Sequence, residues 1–432
     1  MIGLGDRGRR RSERPGHSAT TAHFQAAFPF LAEGGLGAPG VYIGRDACGG
    51  AWVFDPWRAY EAGILSGPNM LVVGQLGRGK SAFLKSYIAR QYVFGRQAWV
   101  LDPKGEFAPL ADFLAGTVIA LVPGGELRLN PISSRMGCEA QLSLLRSVAA
   151  AALRRELTPE EDAGLRVALR IVSAAEPREP TLPEVVAALL HPGAEMSAEL
   201  VMDAGSLADA TRQVALALQR LCEGDLRGMF DGPTSPGLDL DAGFVALDLS
   251  AVQDSSALGI LMTCAAAWLQ GVVIDRKRRA EAGEGDSAKV ILAVDEAWRI
   301  TADLGVAEWL QRSFKLSRAH GVQNIIALHR LSDLGAAGAA GSREARIAEG
   351  LISDADTKVV LAQPPDQVAG LRNLLGLSQT EAELVPTLRR GEALWQVGRR
   401  SFLVQHRLSS IEQGLVDTDA RMLRGRGMAS AA

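Results

Sequence analysis

The chain has 432 residues, a formal net charge of −3 and 47% hydrophobic residues. That length allows one large domain or two medium ones around a buried sheet, and the charge excludes a protein that coats nucleic acid over its whole surface. The cysteines Cys48, Cys138, Cys222 and Cys264 are scattered, with no Cys-x-x-Cys pair or histidine cluster, which argues against a zinc or disulfide framework and for reduced thiols.

Residues 1–39 carry Arg7, Arg9, Arg10, Arg11 and Arg14 with no clean apolar run after them, so they read as a flexible basic arm and not as a secretory signal. Residues 40–62 then read as a short hairpin leading into the core. Met70-Leu-Val-Val73 is a buried strand, and Gly74-Gln-Leu-Gly-Arg-Gly-Lys-Ser81 follows it directly. This is G-x-x-x-x-G-K-[ST], the phosphate loop of nucleoside triphosphatases, and a helix-compatible run to Arg90 comes next. Glycines let backbone N–H groups of Gly74, Gly77, Arg78, Gly79 and Ala82 close on phosphate oxygens, and the helix N-terminus adds positive potential. Lys80 can reach the β- and γ-phosphates, and the Ser81 hydroxyl can ligate Mg²⁺. The motif in this context predicts binding of ATP or GTP, taken here as ATP with Mg²⁺.

A second strand, Gln97–Asp102, ends in a carboxylate, and a third, Thr117–Val122, breaks at Pro123-Gly-Gly125. From about Glu139 to Gly224 the periodicity is helical, with helix starts at Thr158-Pro-Glu-Glu161 and Thr181-Leu-Pro-Glu184. Apolar runs resume at 243–249, 289–294, 323–328 and 357–362, alternating with helical segments. The expected fold class is therefore α/β: a mostly parallel sheet with helices on both faces, of the P-loop (RecA-like) type, plus an inserted all-α subdomain. Its expected parts are the arm 1–39, core 40–135, helical insert 136–225, core 226–415 and tail 416–432. Ala257–Ile274 is uncharged and long enough to span a membrane, but Thr263, Gln270 and its place between two strands favour a buried crossover helix and no integral span. Arg276-Lys-Arg-Arg279 is read as its solubilising end, with a DNA-facing pore contact as the alternative. Glu281–Ser287 reads as a polar surface loop and Gly335–Gly341 as a flexible connection.

Val290–Val294 delivers Asp295-Glu296 to a strand end. Asp295 can complete the metal shell opposite Ser81, and Glu296 can orient or deprotonate water. The pair argues against a signalling GTPase, whose guanine-reading Asn-Lys-x-Asp is also missing. An arginine from a neighbouring subunit often stabilises transition-state charge in such motors. Arg312, Arg318, Arg330, Arg343 and Arg389-Arg390 are candidates, Arg318 first because it lies just before a strand. His329, after Gln323–Leu328, sits where a γ-phosphate sensor would.

The phosphate loop, Asp102-Pro-Lys-Gly-Glu106, Leu129-Asn-Pro131, the helical insert, Asp295-Glu-Ala-Trp298 and Leu388-x-x-Gly-Glu-Ala-Leu-Trp395 together resemble the conjugation and type IV secretion ATPases, the VirB4/TraC-like members of the FtsK–HerA superfamily. The resemblance spans roughly residues 40–410. It implies a cytoplasmic motor, peripheral at the inner face of the plasma membrane, that forms a homo-oligomeric ring, expected as a hexamer. It implies nucleotide between subunits, DNA or protein as cargo, and secretion or conjugation channel proteins as partners. By position it implies phosphate and metal contacts from Gly79, Lys80 and Ser81, metal and water contacts from Asp295 and Glu296, and Glu106 near the γ-phosphate. Relatives often carry glutamine where this chain has His329. About 40 residues precede the core, so docking through a large N-terminal domain is not expected, and a partner or the basic arm would substitute. A DNA translocase not tied to a channel is the same-class alternative. An ATP-dependent assembly protein with negligible turnover and a small-molecule kinase are the alternatives from other classes.

Overall fold

The computed structural model describes residue 20 and residues 34–416, apart from 134–136, 154, 175–178, 225, 237, 239–241, 253–257, 284–287, 298–303 and 332–342. The expectations for the basic arm, the tail, Trp298 and the Gly335–Gly341 connection, and most of those for Glu281–Ser287, lie outside the described residues.

β1 (Val41–Asp46) and β2 (Ala51–Phe54) form the expected hairpin. Residues 56–61 depart from it: Pro56–Glu61 is a helix, α1, because the Asp55 carboxylate caps the N–H groups of Trp57 and Arg58 and Pro56 fits the first turn. β3 (Met70–Val73) enters the phosphate loop, and α2 (Lys80–Val93) leaves it. β4 (Gln97–Asp102), α3 (Ala108–Phe113) and β5 (Thr117–Ala120) follow. β5 stops two residues before the expected Val122, because Val122 leads into a turn closed by the Gly125 N–H on its carbonyl.

The helices α4 (Cys138–Leu153), α5 (Pro159–Ser173), α6 (Leu182–Leu190), α7 (Ala194–Leu200) and α8 (Ala204–Glu223) lie between β5 and β6 (Phe244–Asp248). Thr158 and Glu161 form a reciprocal capping box that satisfies two N–H groups, and at the next helix start the Glu184 carboxylate accepts both the N–H and the hydroxyl of Thr181. Then come α9 (Leu258–Glu281), β7 (Val290–Val294), α10 (Leu304–His320), β8 (Val322–Leu328), α11 (Arg343–Ser353) and β9 (Thr357–Leu361). The chain closes with α12 (Pro365–Leu375), α13 (Gln379–Leu384), β10 (Glu392–Val397), β11 (Arg400–His406) and α14 (Ser410–Val416).

All eleven strands join one sheet in the order β2-β1-β11-β10-β9-β3-β8-β7-β4-β6-β5. From β9 to β5 every pairing is parallel, and β10, β11, β1 and β2 add an antiparallel wing. Successive strand residues face opposite sides, so each strand feeds two cores. Leu71, Val73, Trp99 and Leu101 pack under the helical insert with Leu145, Leu218 and Trp268. Met70, Val72, Ala98 and Val100 pack on the other face with Phe83, Tyr87, Phe54 and Trp395. Parallel strands covered on both faces read as continuous apolar runs, which is why β3 and β7 are buried at every position. The fold is a P-loop NTPase α/β fold with an all-α insert. α9 is the crossover helix between β6 and β7, and no helix among the described residues is long and apolar enough to cross a membrane.

Candidate functional site

The sheet register brings three segments to one edge. Val73 pairs with Leu328, and Gly74 N–H donates to Leu328 O at 3.1 Å, so the phosphate loop starts level with His329. Val294 pairs with Ile326 and Leu101, which carries Asp295, Glu296 and the turn after β4 to the same edge. Parallel sheets place ligands there, beyond the carboxyl ends of the strands.

The loop itself needs glycine. Gly77 and Gly79 have φ of 76° and 104°, a region that residues with a Cβ avoid. Gly74 packs so closely that a Cβ would lie 2.8 Å from the Leu361 side chain. The result is a concave backbone running into the first turn of α2, an arrangement that suits an anion. Lys80 is 6% exposed, and its ammonium donates to Gly74 O at 2.8 Å and to His329 Nδ1 at 2.8 Å.

Asp295 and Glu296 are 3% and 4% exposed. Burial, and then the neighbouring Glu296 charge, push the Asp295 carboxyl above the usual carboxylate range. The Ser81 hydroxyl lies 3.4 Å from Asp295 Oδ2. A hydroxyl and a carboxylate converging at that spacing are hard oxygen donors of the kind Mg²⁺ takes. Among the described residues no cluster of three or more His, Cys, Asp or Glu side chains could hold a metal ion. A divalent ion here would therefore complete its shell with phosphate oxygens and water, so the donor set fits Mg²⁺ carried with a nucleotide.

Glu296 has φ of 54°. A non-glycine residue in the left-handed region costs on the order of 1–3 kcal/mol and is found preferentially at working sites. Its Oε1 accepts from His329 Nε2 at 2.8 Å and from Lys104 Nζ. Because an ammonium only donates and a carboxylate only accepts, His329 must carry its proton on Nε2 and accept at Nδ1. His329 thus bridges Lys80 and Glu296.

The structure gathers Gly74, Gly77, Arg78, Gly79, Lys80, Ser81, Ala82, Asp295, Glu296 and His329 at this edge. Glu106 lies on the turn after β4, and its charge is felt at Lys104. Arg318 is elsewhere within the chain: it is exposed at the C-terminal end of α10, just before β8 begins, and so at the opposite edge of the sheet. The Arg389-Arg390-Gly391 turn touches the loop, with Gly391 N–H donating to Arg78 O at 3.3 Å. Lys277 donates to the carbonyl of Ala319, which ties the basic end of α9 to the last turn of α10.

Sequence reasoning gave no role to Lys104 or Asp248, and noted Asp102 only as the carboxylate that ends a strand. Asp102 ends β4 and Asp248 ends the adjacent β6, in register with each other. Burial pushes the Asp102 carboxyl up to about 6, although it accepts the N–H groups of Phe107 and Lys104 at 2.8 and 3.2 Å. The available signal was a polar turn directly after a buried strand of this sheet.

No protein-family model matches the sequence, and no curated protein matches it. Solved structures do match. VirB4 of Thermoanaerobacter pseudethanolicus superposes with a TM-score of 0.68 at 23% identity, over 89% of this chain and 99% of that one. This chain has the VirB4 fold. The bacterial conjugative coupling protein TrwB is similar at a TM-score of 0.54 and 16% identity, over 79% of this chain and 85% of that one. TrwB structures include complexes with ADP and Mg²⁺ and with non-hydrolysable ATP and GTP analogues. The resemblance read from the sequence therefore has a counterpart at the level of the fold, over 89% of this chain.

Proposed function

We propose that the chain is an ATP-hydrolysing motor subunit of the VirB4/HerA type that powers translocation of DNA or protein in conjugation or type IV secretion. The observation that carries this reading is the convergence of Lys80, the Ser81–Asp295 pair and Glu296 at the carboxyl edge of a parallel sheet. Mg²⁺-ATP supplies the phosphoryl group and much of the charge neutralisation when bound. Backbone N–H groups of 74–82 would hold the phosphates, Lys80 would draw charge from the transferred group, Ser81 and Asp295 would hold the metal, and Glu296 would orient and deprotonate water. Glu106 borders the same edge. His329 passes the state of Lys80 on to Glu296: once phosphate draws the ammonium away, the ring loses its Nδ1 donor.

In this reading the subunits form a ring, a hexamer by analogy, with the nucleotide at the interface. Arg318 is exposed and far from its own site, so a neighbouring subunit could present it in trans. Residues 40–135 and 226–415 form the motor core, and 136–225 form a helical subdomain. The subunit works in the cytoplasm, peripheral at the inner face of the plasma membrane, and docks to channel proteins there. The TrwB complexes with both ATP and GTP analogues make base selectivity a separate question, tested by running GTP beside ATP.

The test is steady-state ATP hydrolysis against protein concentration, with and without double-stranded DNA, using Glu296→Gln as the blank. Specific activity that rises with concentration supports shared sites, and DNA stimulation favours the translocase version over the channel-bound one. Flat activity at the level of the blank would refute an autonomous motor and favour a partner-activated secretion subunit or an ATP-binding assembly protein.

A further inference from the structure

Glu296 is gripped from two sides, and only His329 belongs to the bridge to Lys80. The second grip comes from Lys104, on a turn with little freedom. Asp102 fixes that turn by accepting the N–H groups of Lys104 at 3.2 Å and Phe107 at 2.8 Å. Gly105 has φ of 67°, and a Cβ there would lie 3.1 Å from an Asp248 carboxylate oxygen. Asp248 is itself anchored by the Ser250 N–H at 2.9 Å. From this base the Lys104 ammonium reaches Glu296 Oε1, the oxygen that also takes His329 Nε2 at 2.8 Å.

The side chains of Lys104 and Glu296 are 30% and 4% exposed, so solvent screens the pair only in part. Burial pulls the Lys104 ammonium toward losing its proton. Its bond to Glu296 and the charges of Glu296, Asp295 and Glu106 outweigh that, so it stays charged more firmly than a free lysine.

We propose that Lys104 is a positioning residue that brakes hydrolysis by holding the Glu296 carboxylate in an ion pair until the Pro103–Glu106 turn moves. The inference rests on reading Glu296 as the general base. A carboxylate oxygen already bonded to an ammonium and an imidazole N–H has fewer lone pairs free to take a water's proton. The brake is set by the turn after β4, independently of the phosphate loop. It is released by whatever shifts residues 103–107 or the Asp248–Ser250 segment against which they pack. The chain then idles at a low rate with nucleotide bound, and engagement of cargo or a neighbouring subunit at that turn raises the rate.

The experiment uses the full chain and measures kcat and KM for ATP together with binding of a fluorescent ATP analogue. Lys104→Met should raise kcat about 10- to 100-fold, the equivalent of one lost charge-assisted bond, with KM and binding unchanged. Lys104→Arg should keep the wild-type rate, and Lys104→Gln should follow Lys104→Met, which separates release of the pair from damage to the turn. Adding Glu296→Gln to Lys104→Met should return the rate to the blank. A kcat that falls or stays level in both Lys104→Met and Lys104→Gln overturns the proposal. If the wild type shows no turnover, its appearance in Lys104→Met supports the brake, and continued silence overturns it. Failure of the underlying site assignment is visible separately, as hydrolysis that survives Lys80→Met or Glu296→Gln whatever Lys104 does.

Discussion

Replacing Lys80 with methionine keeps the length and most of the buried volume of the side chain while deleting its ammonium. In the folded chain Lys80 is 6% exposed, and its ammonium bonds Gly74 O and His329 Nδ1, both at 2.8 Å. Its charge also favours the ionised Asp295 carboxyl. Folding should tolerate the change with a shift within about 2 kcal/mol, because a costly buried charge leaves together with its bonds while Asp295 loses a favourable neighbour. Catalysis should not tolerate it. If the ammonium makes two charge-assisted bonds to the β- and γ-phosphates at about 1.5–3 kcal/mol each, their loss removes roughly 3–6 kcal/mol, or about 10²–10⁴ in kcat/KM. Phosphate release over a range of ATP concentrations measures the loss, and thermal melting without nucleotide provides the folding control. Turnover retained within about tenfold, in a protein that melts like wild type, would refute the placement of the phosphates on this loop.

Glu296→Gln should keep nucleotide binding and reduce hydrolysis by roughly 10²–10⁴, seen as bound ATP that persists after rapid separation from free ligand. His406 accepts from Trp395 Nε1 at 2.9 Å in the wing's core, where burial, and then Arg90, pull its pKa from 6.5 down to about 3. The unfolded chain binds a proton there that the folded chain refuses. Stability is therefore complete above about pH 6.5 and is lost as pH falls toward 3, by up to ~5 kcal/mol. Denaturant melts of His406→Gln between pH 4 and 7 should show a flatter acid limb than wild type, and identical slopes would count against the buried neutral ring. Gly44→Ala would place a Cβ 2.0 Å from Gln405 O, forcing β1 away from β11 at about 1–3 kcal/mol, read as a lowered melting temperature.

The phosphate loop was readable from the sequence because its residues are local and each is required by chemistry: two glycines with positive φ, a lysine and a hydroxyl on adjacent helix positions. Asp295-Glu296 was readable because a buried strand announces itself as Val-Ile-Leu-Ala-Val and then stops at charge. The helix caps at Thr158 and Thr181 are likewise short-range signals. Lys104 stayed hidden because its partner is 192 residues away, and only the register of β4 against β7 brings them together. The same holds for the contact between Gly391 and Arg78, which depends on β9 lying beside β3 and β10 folding back against β9. The α1 turn was missed for a different reason. Asp55-Pro56 looks like the end of a hairpin, and the capping geometry of Asp55 decides the matter only in three dimensions.

The antiparallel wing has a topological consequence. β1 and β11 are direct neighbours, with Gly44 opposite His406, so the first and last of the described strands close on each other. Trp52 and Phe54 on the neighbouring β2 meet Trp395 edge-on, Phe402 on β11 packs on Trp52, and Trp395 meets Phe83 on the helix that leaves the phosphate loop. The nucleotide-binding loop is therefore underpinned by residues from both extremes of the folded chain. A fragment cut to the parallel strands alone would lose the floor beneath α2. The smallest unit that can hold a phosphate in place thus runs from β1 through β11, and a circularly permuted chain joined across that seam should preserve it.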